Sequence, residues 1–148
     1  MEPGDRVVGA QLLAISGLAW PGRARWPLPR TVAAGAALAG VAGAALAAAG
    51  LAAQGPQLTP RVTPPPSAAL LTTGAYGVSR HPVYAGLLVG GAGWAVLRRR
   101  PEPVVSWAAL AAVLHVKTRM EEKVLRARFG EAYEQYAATT PRLLGLGR

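Results

Sequence analysis

Two short clusters of polar residues in the C-terminal half of the chain carry the side chains that could do chemistry. The first is Arg80–Tyr84, in which Pro82 suits the first position of a helix. Arg80 and His81 would then lie at a helix N-terminus, where unpaired N–H groups and a partial positive charge favour an anion. Arg80 adds a permanent cation that can form two parallel hydrogen bonds with a carboxylate. The cluster predicts a site for the carboxylate of an amino-acid-like ligand. Anchoring of Arg80 to lipid phosphate and simple capping by His81 explain the same residues.

The second cluster is a pair of adjacent carboxylates, Glu121 and Glu122. They border an apolar face of helical spacing, which consists of Leu125, Phe129, Tyr133 and Tyr136. Carboxylates beside such a face are costly unless they are paired. Their partners would be Arg or Lys, or the ammonium, ribose hydroxyls or sulfonium of a cofactor. An ordinary i,i+4 ion pair of Glu122 with Arg126 is the structural alternative.

A glycine-rich stretch, Gly90–Gly93, lies between the two clusters. Each glycine costs up to ~1 kcal/mol of helix propensity relative to alanine. Three of them in four positions therefore indicate that something approaches the backbone closely. Either a cofactor or a neighbouring helix satisfies this requirement.

Four apolar blocks must position these residues, and they cover 7–20, 31–53, 84–97 and 104–116. The block 31–53 contains no charge and, at about 1.5 Å per residue, is long enough to cross the ~30 Å hydrocarbon core. Its small residues recur at four-residue spacing, which would let a helix of this chain or of a second copy approach closely. They are Gly35, Ala39, Gly43 and Ala47. The last two blocks are joined by a basic turn and predict a helical hairpin that crosses or only re-enters the membrane.

Composition narrows the class of protein. The net charge is +9, and many arginines flank the apolar blocks, which favours a membrane surface over nucleic acid. The chain has no cysteine and two histidines without a ligand-like spacing, so we expect no metal site. The stretches 7–20, 31–53, 84–97 and 104–114 contain no acid or base of the kind that ion-coupled transporters place inside a span, which counts against transport.

The fold predicted from these patterns is all-α: a polytopic membrane bundle of about four hydrophobic helices, with a C-terminal helical hairpin and a cytosolic amphipathic helix. Residues 1–148 would form one domain, with N-terminal membrane helices in 1–53. The proline-rich segment after Gln54 predicts extended chain, and the helical pattern from Lys117 to about Ala138 ends before Pro141. The larger share of Lys and Arg lies on the side of both termini, which predicts that this side is cytoplasmic.

The combination of motifs resembles the isoprenylcysteine carboxyl methyltransferase family and its phospholipid methyltransferase relatives. The resemblance covers residues 72–144 and rests on the order Arg80-His81-Pro82-x-Tyr84, a small-residue helix, a basic turn, then Glu121-Glu122-x-x-Leu125 and Phe129-Gly130-x-x-Tyr133-x-x-Tyr136. It implies that S-adenosylmethionine is the cofactor.

The resemblance also implies roles for individual residues. Arg80 and Glu121 would be catalytic, with Arg80 orienting a carboxylate. The cofactor would be bound by His81, Pro82, Tyr84, Gly91, Gly93, Glu121 and Glu122, with His81 and Tyr84 at its methionine part. Arg142 matches a C-terminal basic position of the family, but the proline that often follows is replaced by Leu143-Leu144-Gly145.

The function expected is methyl transfer to a lipid-like or prenylated acceptor, with carboxyl O-methylation of isoprenylcysteine type preferred. The alternatives are N-methylation of a phospholipid and, from another class, a non-catalytic transporter or scaffold. We expect an integral protein of the cytoplasmic (inner) membrane, in contact with membrane lipids and not with nucleic acid, and with its site facing the cytoplasm. The sequence leaves open the acceptor and the oligomeric state.

Overall fold

A computed structural model describes residues 3–55 and 68–145, which form six helices. The helices are α1 (Pro3–Leu18), α2 (Arg30–Gln54), α3 (Ala75–Val78), α4 (Pro82–Arg98), α5 (Pro101–Phe129) and α6 (Glu131–Thr139). The prediction of an all-α chain is confirmed. The prolines from Pro56 to Pro66, predicted to be extended, lie outside the described residues.

Prolines and a glycine set the ends of α4, α5 and α6. Pro82 opens α4 and Pro101 opens α5, where the missing N–H has no helical partner to lose. Only Arg99 and Arg100 separate these two helices, and Arg99 has the left-handed φ of 57°. α5 continues well past residue 116, and the helical pattern does not run unbroken to Ala138. Gly130, with φ 52°, separates α5 from α6 because glycine adopts this conformation without a Cβ clash.

α2 and α4 are antiparallel and pack through small residues, with their backbones in contact. A Cβ placed on Gly43 would overlap the backbone of Gly86 and Gly90, and one on Gly93 would overlap the carbonyl oxygen of Ala36. At Gly35, by contrast, nothing lies within 4 Å of an added Cβ. The small residues of α2 therefore serve contact within this chain, although the contact does not include the predicted Gly35.

α1 packs antiparallel against α5. Gly17 lies against the Ser106 side chain, and Gln11 accepts a hydrogen bond from Lys117 at 2.9 Å. Ala14, Leu110 and Leu114 form the buried core between these helices, with side chains of α4 packed on it. The structure thus places the start of α1, the end of α2 and the end of α5 toward the same end of the bundle.

The opposite end is closed by the turn between α4 and α5 and by the connector between α1 and α2. The arginines of the turn donate to carbonyl oxygens of the connector: Arg98 and Arg100 to Trp20, and Arg99 to Trp26. Arg100 is buried there. These arginines therefore satisfy backbone acceptors that follow the end of α1.

Of the helices within 3–55 and 68–145, α2 alone is long and apolar enough to cross a membrane. Little of it is covered by the protein, since Leu38 and Val41 are 70% and 69% exposed. A helix that is apolar on its exposed face is suited to lipid rather than water. Further crossings by the other three apolar blocks stay a prediction.

Candidate active site

Arg80 and His81 lie at the N-terminus of α4, where the sequence predicts them. His81 is the residue before the helix and Pro82 is its first residue. Both Arg80 and His81 are buried. The backbone N–H of His81 donates to Ser79 Oγ at 3.1 Å, and that of Arg80 donates to the carbonyl of Pro141 at 2.9 Å. Residues 80–84, hereafter the helix-mouth cluster, are therefore held by contacts on both sides.

The helix-mouth cluster meets Glu121 and Glu122, hereafter the acidic pair, at the same end of the bundle. His81 lies between the two carboxylates, with Nδ1 3.4 Å from Glu121 Oε2 and Nε2 3.5 Å from Glu122 Oε1. Tyr84 Oη donates to Glu121 Oε1 at 2.7 Å. The two clusters singled out by their chemistry thus form one site, and their roles toward a ligand stay predictions.

Glu122 is fully buried and is the most heavily paired carboxylate of the site. Arg142 donates to both of its oxygens, from Nε at 2.9 Å and from Nη2 at 2.7 Å. Arg80 Nη1 lies 3.5 Å away and Arg126 Nη1, at the expected i,i+4 position, 3.6 Å away. Burial alone would raise the pKa of Glu122, but His81, Arg142 and Arg80 together lower it to about 2. Glu122 is an anion at neutral pH.

Glu121 differs from Glu122 because its side chain is 15% exposed. Besides Tyr84 and His81, its neighbour is Lys117, whose Nζ lies 3.9 Å from Oε1. Lys117 is buried, and its ammonium lies 5.1 Å from the centre of the Tyr84 ring. Glu121 is therefore the carboxylate of the pair that a ligand can reach without displacing an arginine.

The imidazole of His81 stacks on Tyr84, with ring centres 5.7 Å apart and an angle of 13° between the planes. Burial lowers the pKa of His81, but the carboxylates of the acidic pair outweigh it, so the pKa lies above its ordinary value. The ring is stabilised as a cation, in which both nitrogens donate.

Three buried donors at this site have no hydrogen-bond partner among the described residues. They are Arg80 Nε, His81 Nε2 and Tyr133 Oη. Burial and, to a lesser extent, Glu122 raise the pKa of Tyr133 while Arg80 acts against them, with a net value of about 12, so these groups share one electrostatic environment. Buried polar groups are rarely left unsatisfied. Their presence fits a ligand with acceptor oxygens.

Gly91 and Gly93 are not brought to this site. Gly91 follows His81 by about three turns of helix, or ~15 Å along the axis. Its added Cβ would lie 3.2 Å from Trp107 Cδ1, whereas Gly93 lies against α2. Protein covers both glycines in this structure, and their predicted contact with a cofactor stays a prediction.

Sequence reasoning missed Ser79 and Lys117 and left Arg142 tentative. Ser79 is fully buried and donates from Oγ to the carbonyl of Arg142 at 3.0 Å, so it ties the helix-mouth cluster to the segment after α6. Ser79 lies directly before the Arg-His-Pro motif, but its type gives no signal of this contact. Lys117 lies one turn before Glu121, and this spacing was the available signal.

Comparison with known proteins shows the family of the chain. The phospholipid methyltransferase family model matches residues 31–132, which include α2, α4, the helix-mouth cluster and the acidic pair. The chain belongs to the phospholipid methyltransferase family. No curated protein and no solved structure matches the chain significantly.

Membership of the phospholipid methyltransferase family supports a membrane methyltransferase that acts on lipids. The matched span ends before Tyr133 and Arg142, so these two side chains join the site from outside it. The apolar helix α2 lies within the span and agrees with a membrane protein.

Proposed function

We propose that the chain is an S-adenosylmethionine-dependent methyltransferase whose active site is the junction of the helix-mouth cluster and the acidic pair. The observation that carries the proposal is the position of His81 between Glu121 and Glu122, at 3.4 and 3.5 Å. The residues matched by resemblance thus come from two helices to one place, inside the span shared with a methyltransferase family.

The residues of the site fit the cofactor. Arg80 Nε and Tyr133 Oη, which have no hydrogen-bond partner among the described residues, suit the carboxylate of a methionine moiety. Glu121, the reachable carboxylate, suits an ammonium or a ribose hydroxyl. S-adenosylmethionine, when bound, supplies a methyl group activated by the positive sulfur.

Glu122 acts in this proposal by positioning other groups. Its oxygens are occupied by the two-pronged contact with Arg142, and it has no exposed surface. It pairs with His81 Nε2 and holds Arg80, whose Nε has no hydrogen-bond partner among the described residues. Removal of Glu122 would therefore disturb ligand binding through the orientation of these side chains.

A phospholipid amine is the acceptor that the family match favours. The acceptor nitrogen gains a methyl group and loses a proton. Because His81 is stabilised as a cation, it is a poor proton acceptor. Glu121 is the carboxylate with access to solvent, and we assign it the role of holding the amine N–H and receiving that proton.

A carboxylate acceptor of isoprenylcysteine type is the second candidate, and the charge balance favours it. Two carboxylates of the acidic pair are surrounded by four basic side chains besides His81. They are Arg80, Lys117, Arg142 and Arg126, the last of which also pairs with Glu134 at 2.9 Å. Such an excess of cations would hold an additional anion, and a carboxylate is already ionised at neutral pH and needs no base.

The test of the site is cofactor binding by the purified protein in detergent, measured by calorimetry. Glu121→Gln removes the charge but keeps the shape, and we expect at least tenfold weaker binding of S-adenosylmethionine. The matched control is Glu131→Gln on α6, which removes an equally charged but exposed side chain. Wild-type protein that fails to bind, or equal binding by both variants, would contradict the proposed site. Failure of the wild type to bind would instead favour a transporter or a scaffold.

The test of the acceptor uses cofactor carrying a radiolabelled methyl group and membranes containing either a phospholipid amine or a prenylated cysteine. A methylated amine keeps its label in mild base, whereas a methyl ester releases it as methanol. We expect base-stable label in the phospholipid fraction. Base-labile product alone would exclude the amine and establish the second candidate.

A further inference from the structure

The face of α5 that points away from the bundle changes character along its length. Its exposed side chains at helical spacing form one continuous row, hereafter the outer stripe. The outer stripe consists of Val105, Ala109, Ala112, Val116, Arg119 and Lys123. The first four residues are apolar, with Val105 and Val116 67% and 50% exposed, and the last two are cationic.

The faces of α5 that point toward α1 and α4 are occupied by the protein. α1 contacts it at Ser106 and Lys117, and Trp107 donates to the carbonyl of Leu88 on α4. The outer stripe lies on the side of α5 away from these contacts, and all six of its residues are exposed. Its exposure is therefore a property of the fold and does not come from a loosely packed helix.

The two cations of the outer stripe have no ion-pair or hydrogen-bond partner in the described part of the chain, 3–55 and 68–145. The acidic residues of the same helix segment, Glu121 and Glu122, point inward. Arg119 and Lys123 are instead i,i+4 neighbours of the same charge, an arrangement that disfavours a helix. An external anion between them would remove this repulsion.

We propose that the outer stripe is a docking surface for an anionic phospholipid of the surrounding bilayer. The row Val105–Val116 covers about 16 Å of helix, a length suited to an acyl chain, and Arg119 follows Val116 by ~4.5 Å, where the headgroup begins. The order of apolar and cationic side chains matches the order of chain and phosphate in one lipid molecule. Each cation near a membrane surface attracts anionic lipid, and the contributions of Arg119 and Lys123 add.

Lipid docking on the outer stripe does not depend on methyl transfer. It does fix how deep the candidate active site lies in the bilayer. Lys123 is the residue after the acidic pair, so a headgroup at Arg119 and Lys123 places Glu121 at the headgroup level of the same leaflet. Lipid bound here lies next to the site on the outside of the same helix.

The test is lipid binding in neutral detergent by native mass spectrometry, with dioleoyl phosphatidylglycerol as the anionic probe and dioleoyl phosphatidylcholine as the zwitterionic one. We expect the wild type to prefer the anionic lipid. The double variant R119Q/K123Q should bind it about 30-fold more weakly, or roughly fivefold for each lost cation. Both residues are exposed and repel each other, so the melting temperature should not fall.

The matched control is R23Q/R30Q, which removes two exposed arginines near the start of α2, at the opposite end of the bundle. It should keep the preference. Equal loss in both double variants would show that only total charge matters and would overturn the proposal. Equally tight binding of water-soluble glycerol phosphate would overturn it too, because the apolar part of the outer stripe would then contribute nothing. Cofactor binding by R119Q/K123Q should remain, which separates this test from that of the active site.

Discussion

Glu121 and Glu122 are adjacent in sequence and have different surroundings in the fold. Glu122 is buried among three arginines and His81, whereas Glu121 keeps 15% exposure and a hydrogen bond from Tyr84. A buried ion pair gives little net stability compared with apolar packing, but removal of one partner leaves the others uncompensated. The two carboxylates therefore predict different phenotypes: loss of ligand binding at Glu121 and loss of stability at Glu122.

Glu122→Gln should lower the free energy of unfolding by about 3 kcal/mol, since it leaves the buried Arg80 without its counter-charge. Thermal unfolding in detergent at neutral pH measures the loss. Glu121→Gln is the comparison and should cost less than half as much. An unchanged melting temperature for Glu122→Gln would contradict the structural role assigned to the pair with Arg142.

The contribution of Glu122 to the free energy of unfolding should depend on pH. The pKa of Glu122 is about 2 in the folded protein and roughly 4.3 in an unfolded chain, so its stabilisation is complete above the unfolded value. It is lost as the pH falls from about 4.3 to about 2. The stability difference between wild type and Glu122→Gln should therefore shrink over this interval. A difference that is constant down to pH 2 would show that the folded pKa is not depressed.

Part of the site was predictable from residue types alone. The Arg-His-Pro sequence predicts a helix start, and the Glu-Glu pair predicts a need for cations; both features are found. Lys117 was missed because a lysine after an apolar block normally reaches solvent, and here Gln11 and Tyr84 enclose it across large sequence separations. Such burial depends on tertiary packing that local patterns do not contain.

At the scale of elements, the contact of α2 with α4 depends on the absence of side chains. The backbones approach where Gly43 faces Gly86 and Gly90. The sequence indicated close approach along both helices, but it did not distinguish a neighbouring helix from a cofactor at Gly93. The same small residues serve either partner, and only the register of the two helices decides between them.

Gly43→Ala should destabilise the protein by about 1–3 kcal/mol, because its Cβ overlaps the backbone of α4 and the helices must separate. Gly35→Ala in the same helix is the control. Nothing lies near its added Cβ, so the higher helix propensity of alanine should leave stability equal or slightly greater. Both are measured as shifts in melting temperature. Equal effects of the two substitutions would contradict the close packing at Gly43.

At the scale of the whole molecule, the two ends of the bundle are chemically distinct. One end holds the acidic pair and its cations, and the other holds the turn arginines bonded to carbonyls of the α1–α2 connector. Arg25 N–H also donates to the carbonyl of Arg99 at 2.9 Å, which keeps the turn level with the start of α2. If α2 crosses the bilayer, the turn between α4 and α5 therefore lies on the same side of the membrane as the start of α2.

This arrangement predicts the sidedness of labelling. The chain contains no cysteine, so single substitutions Arg23→Cys and Glu131→Cys introduce unique thiols at the two ends. A membrane-impermeant maleimide should label Glu131→Cys only from the cytoplasmic side and Arg23→Cys only from the other. Labelling of both from one side of intact vesicles would exclude a spanning bundle.

The contacts of Pro141 and Arg142 have a consequence for the order of events during synthesis. Arg80, His81 and the acidic pair emerge from the ribosome earlier than the residues that lock them in place. A nascent chain that has reached Thr139 already contains all six described helices, but Glu122 still lacks its strongest partner. The candidate site is thus completed only after all six described helices have been synthesised and are available for insertion, because Glu122 must wait for Arg142.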